Sequence, residues 1–387
     1  MKKTVAVFFG GRSTEHDISI ITAISAVIKP LELTGAYTVV PIYITKTGKW
    51  VSDPILADIS LYQTKKINEF VETAKPMSIV FDGGMSIVKA GLRSKPQPID
   101  IAFPAMHGPY GEDGSLMGLL RMAGIPFVGN DMDASVIAMD KVLAKQVAQA
   151  NGISTSRFLT FSKEQLKVDI ESAVATITKK LRYPLFVKPS HLGSSIGITR
   201  VKTDQELRNA VEVAAYYDTK IIIEEAVGNL IEVTVPIIGN EVLTPALVER
   251  PLAHDEEFFD FNTKYMSQGG KKGGSAKQPA GAQGYSELPA KIAEPLYKKA
   301  VETAEAVYRA IGAGGIARID LLIDSKTGDV YFNEVNPLPG SLYAHNWRAA
   351  GVSSVELVQR LIEYAEEHHA AQQKLETTFT SSFLQQF

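Results

Sequence analysis

Phe332-Asn333-Glu334-Val335-Asn336-Pro337-Leu338-Pro339-Gly340, with Arg318-Ile319-Asp320 upstream of it, is the stretch on which the fold turns. The apolar pattern predicts two adjacent strands at 316–323 and 330–334. The turn between them, Asp324-Ser325-Lys326-Thr327-Gly328-Asp329, is built from hairpin residues. Folding that turn back brings Asp320 near Glu334 and Asn336. Hard oxygen donors gathered in this way suit Mg²⁺, which takes one or two carboxylates and fills its other positions with phosphate and water. Arg318 stands two residues from Asp320, on the same face of the strand. The set points to phosphoryl transfer from a nucleotide; an acidic hairpin with a solvated arginine fits the same letters.

The chain has 387 residues, more than one core usually serves, so two or three domains are expected. Hydrophobic residues make up 45% and charged residues 21%, the balance of a soluble globular protein. A formal charge of −3 supplies no bulk attraction to nucleic acid or to an anionic membrane. Without cysteine there are no disulfides, thiolate metal sites or cysteine nucleophiles. Met1-Lys2-Lys3 opens on a short apolar run that ends in Gly10-Gly11, which reads as a buried first strand and not as a secretory leader. No stretch approaches the roughly 18 apolar residues of a membrane span. A cytoplasmic protein is expected.

Strand and helix signals alternate over the first ~130 residues: a strand at 4–9, a Gly-Gly-Arg-Ser-Thr-Glu turn, a helix at 18–28, and strands at 37–44 and 99–104. This alternation points to a parallel sheet with ligand groups at its carboxyl edge. A polar helical stretch at 60–74 and a hairpin at 77–89 around Asp82-Gly83-Gly84 follow the same reading. A second unit carries a helix at 141–151, strands at 185–188 and 221–224, and a helix at 204–215. A third holds a long polar loop, a helix at 291–311, the hairpin above and a last helix at 354–369. The expected division is 1–130, 131–235 and 236–375, with 376–387 as a tail.

Several further segments carry chemistry. Lys188-Pro189-Ser190-His191-Leu192-Gly193-Ser194-Ser195-Ile196-Gly197 follows a strand, and its small residues let backbone N–H groups approach phosphate beside a lysine. It is no Walker A loop, since the lysine precedes it. Ile221-Ile222-Ile223-Glu224-Glu225 is an apolar strand ending in acids, suited to an adenine amino group or simply a strand end. Lys141 sits at a helix start, where the dipole does not favour a cation. Met106-His107-Gly108-Pro109-Tyr110-Gly111-Glu112-Asp113-Gly114 forms a strand-end loop ahead of a helix at 115–122, a usual place for small ligands. Gly269-Gly270-Lys271-Lys272-Gly273-Gly274-Ser275 reads as a lid in a chain this acidic.

Taken in order from Val5 to Glu366, these motifs resemble the D-alanine–D-alanine ligase family of the ATP-grasp superfamily. The resemblance implies an α/β, three-domain ATP-grasp architecture: an N-terminal parallel-sheet domain for substrate, and two α+β domains that sandwich the nucleotide. Gly10-Gly11-Arg12-Ser13-Thr14-Glu15-His16-Asp17-Ile18-Ser19 is similar to the family's opening motif, which gives Glu15 the ammonium of the first D-alanine. His107 is placed in the substrate pocket. Lys141 and Lys188 match the nucleotide-phosphate lysines, with Ser195 in the same loop. Ser194 matches the serine that bonds the opening glutamate, and Glu224 the adenine position. Phe258-Phe259-Asp260-Phe261-Asn262-Thr263-Lys264-Tyr265 is similar to the mobile ω-loop, with Lys264 reaching the γ-phosphate and Tyr265 closing onto Ser194 and Glu15. That Lys-Tyr pattern implies an amide product, where ester-forming relatives differ. Arg318 would stabilise the transferring phosphoryl group, the Gly340 N–H would complete an oxyanion site, and Asp320, Glu334 and Asn336 would hold two Mg²⁺ ions, or Mn²⁺ in their place.

The implied reaction joins two D-alanines with ATP through a D-alanyl-phosphate, for peptidoglycan precursor synthesis. The family's habit of forming homodimers through the N-terminal domain is implied with it. The sequence departs from the family pattern at three places. The segment after Pro339-Gly340 reads Ser341-Leu342-Tyr343-Ala344-His345-Asn346, so His345 and Asn346 stand where the acceptor carboxylate is bound, beside Ser341. The ribose glutamate falls on Leu230, with Glu232 two residues on and on the same strand face. The ω-loop carries an insert at 269–277. The alternatives are the same chemistry on D-serine, D-lactate or another acceptor, and a nucleotide-binding regulator without catalysis. A dinucleotide-dependent oxidoreductase fits poorly, since Gly10-Gly11-Arg12-Ser13 lacks the Rossmann spacing.

Overall fold

The first strand, β1 (Lys3–Gly10), is buried on both faces from Val5 onward, which only a sheet covered on both sides allows. It pairs in parallel with β2 (Tyr37–Ile44) on one side and, across the sheet, with the later strand Ile101–Pro104. The short strand β3 (Trp50–Ser52) adds an antiparallel edge to β2. A separate three-stranded sheet is formed by β4 (Met77–Phe81), β5 (Met85–Lys89) and β6 (Gln97–Ile99), so the expected hairpin is present. The single strand expected at 99–104 is two. At Asp100 the chain leaves that sheet for the parallel one as β7 (Ile101–Pro104), and Asp100 fastens the corner by exchanging hydrogen bonds with the Thr4 backbone. These are the elements of the computed structural model, which describes residues 2–91, 95–193, 195–252 and 286–386.

The helix predicted at 18–28 is longer. It runs His16–Ile21, passes through a π-helical stretch at Thr22–Ile28, and continues as Lys29–Thr34 to a left-handed Gly35. Such stretches recur where a side chain must be re-aimed for function, and Thr22 lies in this one.

The second unit is an antiparallel sheet in the order β10 (Thr199–Val201), β9 (Leu185–Pro189), β11 (Lys220–Glu225), β8 (Phe158–Ser162). Its register sets Lys188 opposite Ile222 and Glu224 opposite Phe186. The third is ordered β13 (Leu243–Pro245), β12 (Leu230–Gly239), β16 (Gly315–Asp324), β17 (Asp329–Asn336), and the short pair β14 (Arg250–Pro251) and β15 (Ser286–Glu287) stands beside it. β12 pairs with β16 along its whole length, so this strand crosses the division expected at 235 and lies wholly in the third sheet. Along β16 the burial alternates: Ala317, Ile319, Leu321 and Ile323 enter the core while Arg318 and Asp320 share the other face.

Two devices tie the first unit to the third. Trp347 and the helix Ser354–Gln372 bring Leu357, Val358, Leu361 and Ile362 into the same core as Ile20, Ile24, Val27 and Leu31. At the seam, the buried Asn130 amide donates to the carbonyls of Ile316 and Pro337, each at 2.9 Å, and its oxygen accepts from Gly314 N–H at 3.0 Å. Asn130→Ala strands two buried acceptors and a donor. Urea denaturation is expected to give a loss of about 2–3 kcal/mol; a loss below about 0.5 kcal/mol would show that water replaces the amide freely.

Candidate active site

The sheet register builds the centre of the site. Across β16 and β17, Asp320 stands opposite Glu334 and Arg318 opposite Asn336, with an irregularity between Asp320 and Leu321. The Arg318 guanidinium forks onto Asp320 at 2.7 and 2.6 Å, the planar bidentate geometry that strengthens such pairs. It also lies 5.2 Å from the Tyr343 ring centroid. Glu334 meets Lys141 at 3.2 Å, and the Lys141 ammonium donates to the Leu192 carbonyl at 2.7 Å. Asn336 Oδ1 is buried and has no hydrogen-bond donor. An amide oxygen left in that state is costly unless something absent supplies the contact, and a divalent cation does so. Two carboxylates beside this oxygen therefore fit Mg²⁺, the rest of its shell coming from phosphate and water. Among the described residues there is no group of three or more His, Cys, Asp or Glu that could hold a metal without such help.

The second sheet contributes the next wall. Lys188 on β9 reaches Glu224 Oε2 at 3.3 Å and Asn333 Oδ1 at 3.4 Å. The same Glu224 oxygen takes Ser156 Oγ at 3.0 Å and lies 3.5 Å from Lys145 Nζ, while Glu224 Oε1 is buried with no partner. Burial would raise the Glu224 pKa, but the charges of Lys145 and Lys188 outweigh it and hold it lowered. Burial pushes the Lys145 ammonium down to about 8, with Glu224 pulling the other way. Lys145 was not singled out in the sequence. The only signal available was its place one helical turn after Lys141 on Lys141–Ala150. Glu232, on β12, is exposed, as is Leu230.

The first unit supplies the third wall. Glu15 is buried and its carboxylate is pressed between two loops. A Cβ on Gly108 would lie 2.4 Å from Ser13 Oγ and 3.1 Å from Glu15 Oε2, and one on Gly193 would lie 3.3 Å from the same oxygen. Gly108 also has φ +73, so no other residue fits there without strain. His107 is buried, with Nε2 at 2.8 Å from Thr22 Oγ1. Burial opposes its charge, yet Glu112 and Glu15 overcome that and raise its pKa. The same Thr22 hydroxyl accepts from Ser341 N–H at 2.9 Å, which joins this wall to the segment after Gly340. That segment is coiled tightly: Ser341, Leu342 and Tyr343 all hold φ between 51° and 55°.

His345 and Asn346 differ in what they offer. His345 Nε2 bonds both oxygens of the buried Glu249, at 2.8 and 3.0 Å, and its ring lies tilted against that of Tyr343, with centroids 4.5 Å apart. Asn346 is fully buried, and its amide is spent on the Leu247 backbone and on Glu249. It is a support for Glu249 and presents no surface to a substrate. Ser194, Lys264, Tyr265 and the expected lid at 269–277 lie outside the described residues.

The glycine-rich loop after Lys188 is anchored at its base. Asp140 caps the helix that begins at Lys141, accepts from Ser190 Oγ at 2.7 Å and pairs with Lys220 at 2.6 Å. His191 lies between Asp218 at 3.0 Å and Asp140 at 3.3 Å. The bonds to Asp140 and then Asp218 raise its pKa to about 9. A raised imidazole pKa gives stability that is complete below its unfolded value near 6.5 and is lost as pH climbs through about 9. The stability gap between the parent and His191→Gln is therefore expected to be larger at pH 6 than at pH 10 in denaturant titrations. A gap independent of pH would contradict the bracketed imidazolium.

Comparison with known proteins accords with this geometry. The family model described as D-ala D-ala ligase N-terminus matches residues 4–130, and the one described as D-ala D-ala ligase C-terminus matches 147–363. The D-alanine–D-alanine ligase of Chloroherpeton thalassium is 38% identical over 384 residues, covering 95% of this chain and 98% of that one. That of Geobacillus thermodenitrificans is 34% identical, covering 98% and 100%. Among solved structures, the D-alanine-D-alanine ligase from Coxiella burnetii superposes with a TM-score of 0.78 at 26% identity, over 96% of each chain. The VanG D-Ala:D-Ser ligase from Enterococcus faecalis gives 0.78 at 31% identity, over 94% of this chain and 100% of that one. With its hairpin donors, paired lysines and glycine-lined glutamate wall in one place, the chain belongs to the D-alanine–D-alanine ligase family, whose fold is the ATP-grasp.

Proposed function

We propose that this ligase joins two D-alanines at the expense of ATP, forming a D-alanyl-phosphate and then the dipeptide used in peptidoglycan precursors. The observation that carries this is the meeting, on one sheet face and its neighbours, of Lys141, Lys188 and Arg318 with Asp320, Glu334 and the unpartnered Asn336 oxygen. Asp320, Glu334 and Asn336 would hold two Mg²⁺ ions, which when bound neutralise phosphate charge. Lys141 and Lys188 face the nucleotide phosphates, and Ser195 contributes from the loop that follows Lys188. Lys264 and Tyr265 are assigned to the γ-phosphate and to closure over Ser194 and Glu15. Glu224 meets the base, and Glu232 the ribose in place of Leu230.

Glu15 holds the ammonium of the first D-alanine, with His107 and Ser341 beside it, so that its carboxylate is aimed at the γ-phosphate. Arg318 balances the charge that grows on the transferring phosphoryl group and then on the tetrahedral carbon, with the Gly340 N–H as the second donor. Most of the acceleration then comes from positioning and fixed charge. Excluding water matters because acyl-phosphates hydrolyse. The composition and the family's habits support a cytoplasmic homodimer. Among the described residues, no helix is long and apolar enough to cross a membrane.

A second reading, with another acceptor, rests on one observation. His345, held by Glu249, stands where the family binds the acceptor carboxylate, and one structural relative is a D-Ala:D-Ser ligase. A site built around different polar groups can reject one acceptor in favour of another by orders of magnitude. Incubation with ATP, Mg²⁺ and D-alanine, with the product identified by mass, is expected to yield ADP and D-alanyl-D-alanine. D-alanine with D-serine or D-lactate is expected to give less mixed product. A mixed product in excess would move the assignment to that acceptor, and no ADP with any pair would overturn the ligase reading.

A further inference from the structure

Among the described residues, Lys145 is the most deeply buried charge that the catalytic assignment leaves unused: its side chain is 0% exposed. It donates to Ser156 Oγ at 3.3 Å and to the Phe332 carbonyl at 3.2 Å, and it stands 3.5 Å from Glu224 Oε2. A lysine is seldom taken wholly out of water without a partner that requires it. Glu224 is that partner, and it is shared, because Lys188 approaches the same oxygen at 3.3 Å from the loop side. The two cations differ in their freedom. Lys145 is fixed between two sheets, on a helix that packs against β17. Lys188 sits at the base of the glycine-rich loop and also touches Asn333.

This asymmetry has a consequence for nucleotide binding. When Lys188 turns to a phosphate oxygen, Glu224 loses one of its two cations. With no second cation, a buried carboxylate would be stranded, at a cost that would oppose nucleotide entry. With Lys145 in place, the Glu224 charge stays paired. Its Oε2 stays committed to Lys145 and Ser156, and its bare Oε1 is left as a pure acceptor. A buried acceptor with no donor calls for a ligand that brings one; the exocyclic amino group of adenine does, and the carbonyl at that position in hypoxanthine does not.

We infer that Lys145 is a positioning residue, the resident counter-ion of Glu224, which releases Lys188 to the phosphates and keeps the carboxylate selecting an amino-bearing base. The inference rests on the nucleotide reading of the site given above. It is tested by calorimetric binding of ADP and of IDP, each with Mg²⁺, to the full-length protein and to Lys145→Met, Glu224→Gln and the double variant. Lys145→Met is expected to weaken ADP at least tenfold and to shrink the preference for ADP over IDP. Added to Glu224→Gln, which carries no charge to balance, the same change is expected to cost less than about twofold, since residues that act as a unit do not add. If Lys145→Met fails to fold, recovery of a cooperative melt in the double variant supports the counter-ion role, and failure to recover overturns it. Equal losses in the two backgrounds, or an unchanged ADP-to-IDP ratio, would overturn the inference while leaving nucleotide binding intact. Absence of ADP binding by the parent protein would overturn the nucleotide reading, and this inference with it.

Discussion

The register between Gly315–Asp324 and Asp329–Asn336 is the constraint on which the rest of the structure depends. Strand side chains alternate, so a slip of one residue would send Arg318 and Asp320 into the core and bring Ala317 and Ile319 out of it. The observed pairing sets Asp320 against Glu334 and Arg318 against Asn336, and places two carboxylates, an amide oxygen and a guanidinium on one face. The other face of β16, built from Ala317, Ile319, Leu321 and Ile323, supplies the apolar burial that holds the register. The chemistry is thus fixed by the packing behind it.

Around that hairpin the charges are arranged for exchange. Three ammonium groups, Lys141, Lys145 and Lys188, share the carboxylates of Glu334 and Glu224, which leaves local positive charge for an anionic ligand. Each partnership satisfies a charge that would otherwise be buried alone. On the reading proposed above, a nucleotide enters by trading contacts already made for others of the same kind, and does not have to pull charges out of an empty cavity. The base of the glycine-rich loop would not take part in the trade, because Asp140 ties it to a helix start, to Lys220 and to His191.

Much of this was legible in the sequence. The hairpin could be read because alternation and turn chemistry are local, and they sufficed to bring Arg318, Asp320, Glu334 and Asn336 together. The antiparallel strands at 77–89 and the buried first strand were legible for the same reason. What the sequence hid came from tertiary partners. Lys145 looks like any lysine on an amphipathic helix until two sheets close over it. Thr22 looks like an ordinary helical threonine, yet its hydroxyl links His107 to Ser341. Asn346, placed by counting at the acceptor site, is spent on Glu249, a residue nearly a hundred positions upstream whose role no local pattern announces. The strand Leu230–Gly239 crosses the division drawn from composition because its partner is almost ninety residues away.

We propose that the hairpin register creates a divalent-cation site completed by a nucleotide. Electron spin resonance titration of Mn²⁺, with and without ADP, addresses it without relying on turnover. Mn²⁺ binding is expected to tighten when ADP is present. Asn336→Leu, which keeps the bulk and removes the bare oxygen, is expected to weaken that ADP-dependent binding about tenfold or more. Mn²⁺ binding that ignores ADP, or that is the same in Asn336→Leu as in the parent, would contradict the account.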